Sequence, residues 1–240
     1  MKTRVGIISQ ARMTSSRLPG KVLMKAAGRS MLDYHLDRLE AVGYPVHIAT
    51  TANVSDDPIV NLCEARGVPV YRGDEHDVLL RYVECATLFE LDTVVRVTSD
   101  CPLIDGNEVL KGIEKFQSLD DEALYLSNCV ERTYPDGFDY EIFSMALLQR
   151  AHLEATVQSE REHVTSFFYN HAEEKGISLH NMRYTARMGH LRVTLDTEDD
   201  LKLIAMLIEK HKAAQLNVDA ITELLLTYQP ERTSLLDDSR

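Results

Sequence analysis

At 240 residues the chain is long enough to bury a full core, and its 44% hydrophobic and 27% charged content is that of a globular protein. A formal net charge of -12 excludes broad binding to nucleic acid or to an anionic membrane surface, and the absence of Trp with only 7% aromatic residues excludes a single-strand stacking platform. The cysteines Cys63, Cys85, Cys101 and Cys129 are scattered with no Cys-x-x-Cys pair, which points to a reducing, cytoplasmic setting and away from a disulfide framework or zinc site.

Val5 to Ser9 predicts a strand. Polar Ser9, Gln10 and Arg12 cut this apolar run short of a secretory core, and no later run is long enough to span a bilayer. Ser30-Met31-Leu32-Asp33 has the form of a capping box, with Leu32, Leu36, Leu39 and Val42 as the helical stripe behind it. Val46 to Thr50 predicts the second strand. Asp56-Asp57-Pro58 opens a helix with Pro58 in its first turn, Gly67 closes it, and Val68 to Tyr71 makes a short third strand. Asp77 to Glu90 reads as helix, Thr93 to Thr98 as a compact apolar strand, and Asn107 to Phe116 as the next helix. Residues 118–141 mix turns with strands at Leu124 to Ser127 and Asp139 to Phe143. Residues 144–176 read as helical, Ile177 to Met182 and Leu191 to Leu195 as strands, and Asp196 to Asp200 opens a helix through Leu201, Ile204, Ala205 and Ile208. This alternation predicts an α/β fold with a mostly parallel sheet covered on both faces. No repeat or linker divides it, so one domain over 1–228 is expected, with an irregular insertion at about 130–190 and a frayed tail at 229–240.

The chemistry starts from an asymmetry of charge. The first 32 residues hold seven Lys or Arg and no Asp or Glu. Within them, Gln10-Ala11-Arg12-Met13-Thr14-Ser15-Ser16-Arg17-Leu18-Pro19-Gly20-Lys21 follows the first strand, where α/β proteins hold phosphates. Ser15, Ser16 and Gly20 let backbone approach a phosphate, and Arg12, Arg17 and Lys21 supply charge. The loop is neither a Walker A loop nor Gly-x-Gly-x-x-Gly, and a merely solvated basic loop is its alternative reading. Asp100 and Asp196 follow predicted strands, so they fall at the ligand-binding end of a parallel sheet, where two carboxylates suit a hard cation such as Mg²⁺. Either alone equally suits a helix cap.

Residues Gln10 to Leu23 resemble the signature loop of the sugar-acid cytidylyltransferases, which activate Kdo and sialic acids as CMP-sugars, and Arg96-Val-Thr-Ser-Asp-Cys-Pro-Leu-Ile104 is similar to their metal-bearing strand and turn. Tyr134 to Phe143, Glu160 to Thr165 and Arg192 to Leu201 resemble most the SpsF-like branch of spore-coat polysaccharide synthesis. The resemblance implies a single Rossmann-like, GT-A-like nucleotidyltransferase domain. It implies that Gln10, Ala11, Arg12, Ser15, Ser16, Arg17 and Lys21 hold CTP phosphates, with Arg17, Lys21 and Asp100 catalytic. It implies Mg²⁺ on Asp100 and Asp196, and Thr50, Thr51, Arg72 and Gly73 bordering cytosine and ribose. Ser99 stands where many Kdo enzymes carry Gly, beside the nucleotide. An ordinary turn residue is the alternative for Arg72.

For the sugar, taken as a 2-keto sugar acid, the candidates are Tyr134, Asp136, Asp139, Glu141, Arg161 and His163, with Arg161 and His163 offering the cation its carboxylate needs. Glu160 to His163 also fits an exposed helix start, and His163 a buried structural residue. The implied reaction is transfer of CMP from CTP to the sugar with release of pyrophosphate, by a homodimer with no nucleic-acid or membrane partner. A GT-A-like glycosyltransferase and a non-catalytic nucleotide-binding protein of a polysaccharide pathway are the rivals.

Overall fold

The computed structural model describes residues 3–229. β1 (Val5–Gln10) runs into the basic loop, which is followed by a small hairpin of β2 (Lys25–Ala26) and β3 (Arg29–Ser30) that sequence reasoning did not anticipate. α1 (Met31–Glu40) begins at the expected capping box, with the Ser30 hydroxyl accepting from the Asp33 N–H and Asp33 reaching back to Ser30. Leu32, Leu36 and Leu39 are fully buried. β4 (Val46–Thr51) leads to α2 (Asp57–Arg66), which carries Pro58 in its first turn and ends on left-handed Gly67. β5 (Val70–Gly73) lies two residues later than expected: the Val68 N–H is spent on the Cys63 carbonyl as the chain leaves α2, and Pro69 has no N–H to give, though its carbonyl accepts from Ile48 of β4.

α3 (Val78–Leu88), β6 (Thr93–Thr98), α4 (Gly106–Leu119) and β7 (Leu124–Ser127) follow the reading closely. β8 (Glu141–Ser144) starts two residues late, since Asp139 is drawn aside by an ion pair to Arg132. The helical stretch at 144–176 is broken into α5 (Met145–Glu154), α6 (Gln158–His163), α7 (Ser166–Asn170) and α8 (Ala172–Lys175). One break is at Val164, a buried β-branched residue at φ 59°, a conformation such residues rarely adopt. β9 (Ser178–Asn181) is shorter than expected, and α9 (Glu198–His211) opens on a Thr197/Asp200 capping box. α10 (Val218–Tyr228) was missed, although Asn217 caps it and Val218, Ile221 and Leu225 give it a buried stripe.

One seven-stranded sheet runs in the order β5-β4-β1-β6-β8-β7-β9. Its first four strands are parallel, β8 is antiparallel to both neighbours, and β9 is parallel to β7. The chain winds outward from β1 through β4 to β5, then returns to the other side of β1 with β6. The C-terminal ends of β1 and β6 therefore form the switch point at which such sheets open a crevice. Among the described residues no helix is long and apolar enough to cross a membrane.

Leu191 to Leu195, expected as a strand, is extended but joins no sheet. Val193 donates to the Asp136 carbonyl (2.7 Å) and Leu195 to the Asp100 carbonyl (2.8 Å), with a single bridge pairing Asp136 and Arg192. Gln229, expected in the frayed tail, is buried and brackets Arg192, accepting from its N–H (3.0 Å) and donating to its carbonyl (2.6 Å). The remainder of that tail lies outside the described residues.

Gly137 permits this docking. It sits at φ 119°, and a Cβ there would lie 2.9 Å from the Val193 carbonyl carbon. Gly137→Ala is expected to cost about 2 kcal/mol and to lower the midpoint of a thermal melt by roughly 4–8 °C.

Candidate functional site

The basic loop wraps the C-terminal end of β1. Gly20, at φ 71°, reverses the chain, and its N–H donates to the Met13 carbonyl at 2.9 Å, closing residues 13–20 into a compact loop. Fully buried Asp56 ties the loop to β4. Its carboxylate accepts from the Met13 N–H (2.8 Å), both hydroxyls of Thr50 (3.0 Å) and Thr51 (2.6 Å), and the Thr51 N–H (3.1 Å).

Lys21 sits in the short turn after Gly20, 9% exposed, and its Nζ donates to Asp100 (2.8 Å) and Asp196 (2.9 Å). Asp196 also pairs with Arg17 (3.0 Å) and with Arg192. Burial opposes the Lys21 charge most strongly, but the two carboxylates outweigh it and hold the ammonium above the ordinary lysine value. Burial likewise pushes Asp196 up, and Lys21, Arg192 and Arg17 together hold it below the ordinary carboxylate value. A cleft of about 430 Å³ opens over this cluster. Gln10, Ala11, Arg12, Ser15, Ser16, Arg17, Lys21, Asp100 and Asp196 all line it.

Residues 5–225 match the family described as Cytidylyltransferase. The chain belongs to the cytidylyltransferase family. It is 33% identical over 224 residues to the uncharacterized protein MJ1063 of Methanocaldococcus jannaschii, covering 92% of this chain and 89% of that one. It is 29% identical over 210 residues to the spore coat polysaccharide biosynthesis protein SpsF of Bacillus subtilis, covering 85% of each. A solved cytidylyltransferase from Leptospira borgpetersenii superposes with a TM-score of 0.89 at 28% identity, covering 96% of both chains. The resemblance read from the sequence, to sugar-acid cytidylyltransferases and their SpsF-like branch, is borne out, and the fold is that of a nucleotidyltransferase.

Five residues expected at the nucleotide of this cytidylyltransferase do not line the cleft. Thr50 and Thr51 are fully buried and spend their hydroxyls on Asp56. Arg72 donates to the Thr51 and Asn53 carbonyls and pairs with Asp57, bracing the β4–α2 turn. Gly73 packs against Tyr71 and Arg81. Ser99 is buried in a chain of hydrogen bonds: Ser99 to Ser9 Oγ (2.7 Å), Ser9 to His35 Nε2 (2.8 Å), and His35 Nδ1 to the Cys101 carbonyl (2.8 Å). A carbonyl only accepts, so His35 Nδ1 carries the proton and Nε2 accepts from Ser9. This chain fixes the turn that carries Asp100.

A second chamber of about 470 Å³ adjoins the cleft and shares Arg96, Thr98 and His163 with it. Of the sugar candidates, Asp139, Glu141 and His163 line it. Glu141 is already bonded to Arg96, to the Tyr125 hydroxyl and to Thr165. Tyr134 is buried and donates to Glu108 (2.7 Å), and Asp136 serves the bridge to Arg192. Arg161, expected to offer the cation for a sugar carboxylate, does not line the chamber. It holds the α3 cap residue Asp77 (2.6 and 2.8 Å) and the carbonyls of His152 and Ala155. Arg81, Arg96 and Arg132 were missed as lining residues. Arg81 on the apolar face of α3 and Arg96 inside an apolar strand were visible anomalies; Arg132 carried no signal.

Burial lowers His35, and separately His47, to about 4. Each is neutral when folded, while an unfolded histidine protonates near 6.5. Their stabilisation is therefore complete above about pH 6.5 and is lost as pH falls toward 4, up to about 3 kcal/mol for fully buried His35. Urea titrations across that window are expected to show this loss, and His35→Gln to reduce it by the His35 share while the His47 share remains.

Proposed function

We propose that this cytidylyltransferase transfers CMP from CTP to a sugar hydroxyl and releases pyrophosphate, for synthesis of a surface polysaccharide. The observation that carries the reading is the buried Lys21 between Asp100 and Asp196, ringed by Arg12, Arg17 and Arg192 at the β1/β6 switch point. The likeness to SpsF supports the polysaccharide setting.

On this reading Arg12, Arg17 and Lys21 bind the triphosphate, and the loop amides approach it where Ser15 and Ser16 leave room. The acceptor hydroxyl oxygen forms a bond to the α-phosphorus while the bond from that phosphorus to the bridging oxygen breaks. The electron pair leaves with pyrophosphate, and the hydroxyl proton passes to solvent. Lys21 and Arg17 stabilise the charge developing on the leaving group.

Asp100 and Asp196 fit the Mg²⁺ expected from the family. Their oxygens converge on one cation, Lys21 Nζ, and Mg²⁺ takes one or two carboxylates and completes its octahedron with phosphate oxygens and water. Among the described residues no cluster of three or more His, Cys, Asp or Glu could hold a metal alone, which suits an ion shared with the nucleotide. When bound, Mg²⁺ polarises the α-phosphate and lowers the pKa of the attacking hydroxyl. Lys21 then exchanges carboxylate partners for phosphate oxygens.

Asp100→Asn is expected to lower kcat for pyrophosphate release by about 10³-fold or more, with CTP affinity changed far less. Near-wild-type turnover in that variant would overturn the assignment of Asp100. Absence of pyrophosphate from the wild type across all acceptors would favour a binding protein or a glycosyltransferase. The homodimer belongs to the same proposal, and light scattering at micromolar concentration is expected to return twice the chain mass.

A further inference from the structure

The cleft and the second chamber meet at three residues, Arg96, Thr98 and His163, which line both. On the cytidylyl-transfer reading CTP lies in the cleft, and the adjoining chamber holds the sugar. The new oxygen–phosphorus bond then forms at their junction, and the acceptor hydroxyl gives up its proton there.

Two of the three shared residues do not suit that proton. Arg96 stays charged and is held by Glu141. Thr98 is an alcohol, 3.6 Å from the Cys101 sulfur, and no base at neutral pH. His163 is exposed, and its ring makes no hydrogen bond, ion pair or ring contact among the described residues. Imidazole is the side chain whose ordinary titration falls near neutral pH.

The carboxylates around the junction are mostly engaged. Glu141 of β8 takes bonds from Arg96, Tyr125 and Thr165, and Arg132 grips Asp139 with two parallel bonds. Glu75, in the turn before α3, accepts from Thr14 and Asn53. Of the helices packed on α6, α3 brings the cation Arg81 and its cap Asp77, bound to Arg161, while α7 brings Tyr169. Glu162 and His76 line the cleft but not the chamber.

The backbone fixes His163 at this place. Val164 is fully buried at φ 59° and ψ -59°, a positive-φ γ-turn that a β-branched residue rarely adopts. The Thr165 N–H closes the turn on the His163 carbonyl at 2.6 Å, and the Thr165 hydroxyl is anchored on Glu141. Strain of this kind persists only where the surroundings hold it, and it gathers at functional sites.

We propose that His163 is the general base of the transfer. An unprotonated ring nitrogen takes the proton of the sugar hydroxyl as its oxygen bonds to the α-phosphorus. The bond from that phosphorus to the bridging oxygen breaks, and its electron pair leaves with pyrophosphate. The imidazolium then releases the proton to solvent. The proposal rests on the cytidylyl-transfer reading, keeps its sugar-acid acceptor, and adds the group that carries its proton.

The test uses the full chain with CTP, Mg²⁺ and a 2-keto-3-deoxy sugar acid, Kdo, with sialic acids as further acceptors. His163→Gln is expected to lower kcat for pyrophosphate release about 100-fold or more, with CTP affinity and thermal midpoint near those of the wild type. The base acts unprotonated, so wild-type kcat is expected to fall roughly tenfold per pH unit on the acid side. That limb flattens in His163→Gln and persists in Glu162→Gln. In His163→Ala, added imidazole is expected to raise kcat about tenfold. Near-wild-type kcat in His163→Gln, or a loss confined to the KM for the sugar, would overturn the assignment while leaving cytidylyl transfer intact. So would an acid limb lost in Glu162→Gln and kept in His163→Gln. No pyrophosphate from the wild type with any acceptor would overturn the transfer reading and the proposal with it. NMR of ring-labelled histidine supplies an arm without turnover. The His163 signal is expected to shift on addition of CTP and again on addition of Kdo, and a signal unmoved by both would count against the proposal.

Discussion

The buried contact of Lys21 with Asp100 and Asp196 is the constraint on which the cleft depends. It joins segments 79 and 175 residues apart, so no local preference can form it. An ammonium 9% exposed is tolerable only where charge is returned to it, and here two carboxylates do so. Every nearby device serves that convergence. Gly20 turns the loop so that Lys21 points inward, and the Ser99–Ser9–His35 chain fixes the turn carrying Asp100. The Leu195 N–H, bonded to the Asp100 carbonyl, brings the Asp196 backbone alongside. The capping carboxylate of α9, Asp200, accepts from the Asp196 N–H at 3.0 Å, so helix initiation and site geometry are the same event.

This dependence explains which parts were legible in the sequence. The first half is a succession of local decisions: a capping box at Ser30, a proline inside the start of α2, a glycine after its end, apolar runs of strand length. Each is written within a few residues, so the parallel half of the sheet could be read to within a residue or two. The basic loop was legible as a unit for a similar reason, since its cations lie close together in sequence. Thr50, Thr51 and Arg72, which the family resemblance places beside cytosine and ribose, do not line the cleft. Asp56, a few residues on, claims both hydroxyls, and the turn carbonyls claim the guanidinium. Leu191 to Leu195 has strand composition but meets Asp136 and Asp100 instead of a sheet edge, an outcome set by long-range packing. Arg161 shows the same limit, for its partner Asp77 is 84 residues away.

The antiparallel intrusion of β8 between β6 and β7 shapes the wall of the second chamber. Had the parallel order continued, the wall beyond β6 would present another strand end like that of β1. Instead β8 delivers Glu141 opposite Arg96, in register across the strand pair. The break at Val164 then turns Thr165 onto the same carboxylate and leaves His163 at the junction of the two chambers. Buried ion pairs of this sort contribute little net stability, because desolvation offsets much of the Coulomb gain. Their effect here is on geometry: the pair fixes Glu141 and Arg96 across β6 and β8 in the wall of the second chamber.

The distribution of charge along the sequence accounts for a cleft rich in cations on an acidic protein. With a net charge of -12 the outer surface repels polyanions, and three cations of the acid-free opening segment, Arg12, Arg17 and Lys21, meet in one crevice. A cleft walled by low-dielectric protein focuses the field of Arg12, Arg17, Lys21 and Arg81, whereas the same cations spread over the surface would be screened within about 10 Å at ordinary ionic strength. The carboxylates at the cleft floor do not cancel this attraction, because Asp196 is shared among Lys21, Arg17 and Arg192. They lower the cost of keeping those cations buried. Preorganisation of this kind requires the paired arrangement to exist before binding, and the packing around Lys21 supplies it.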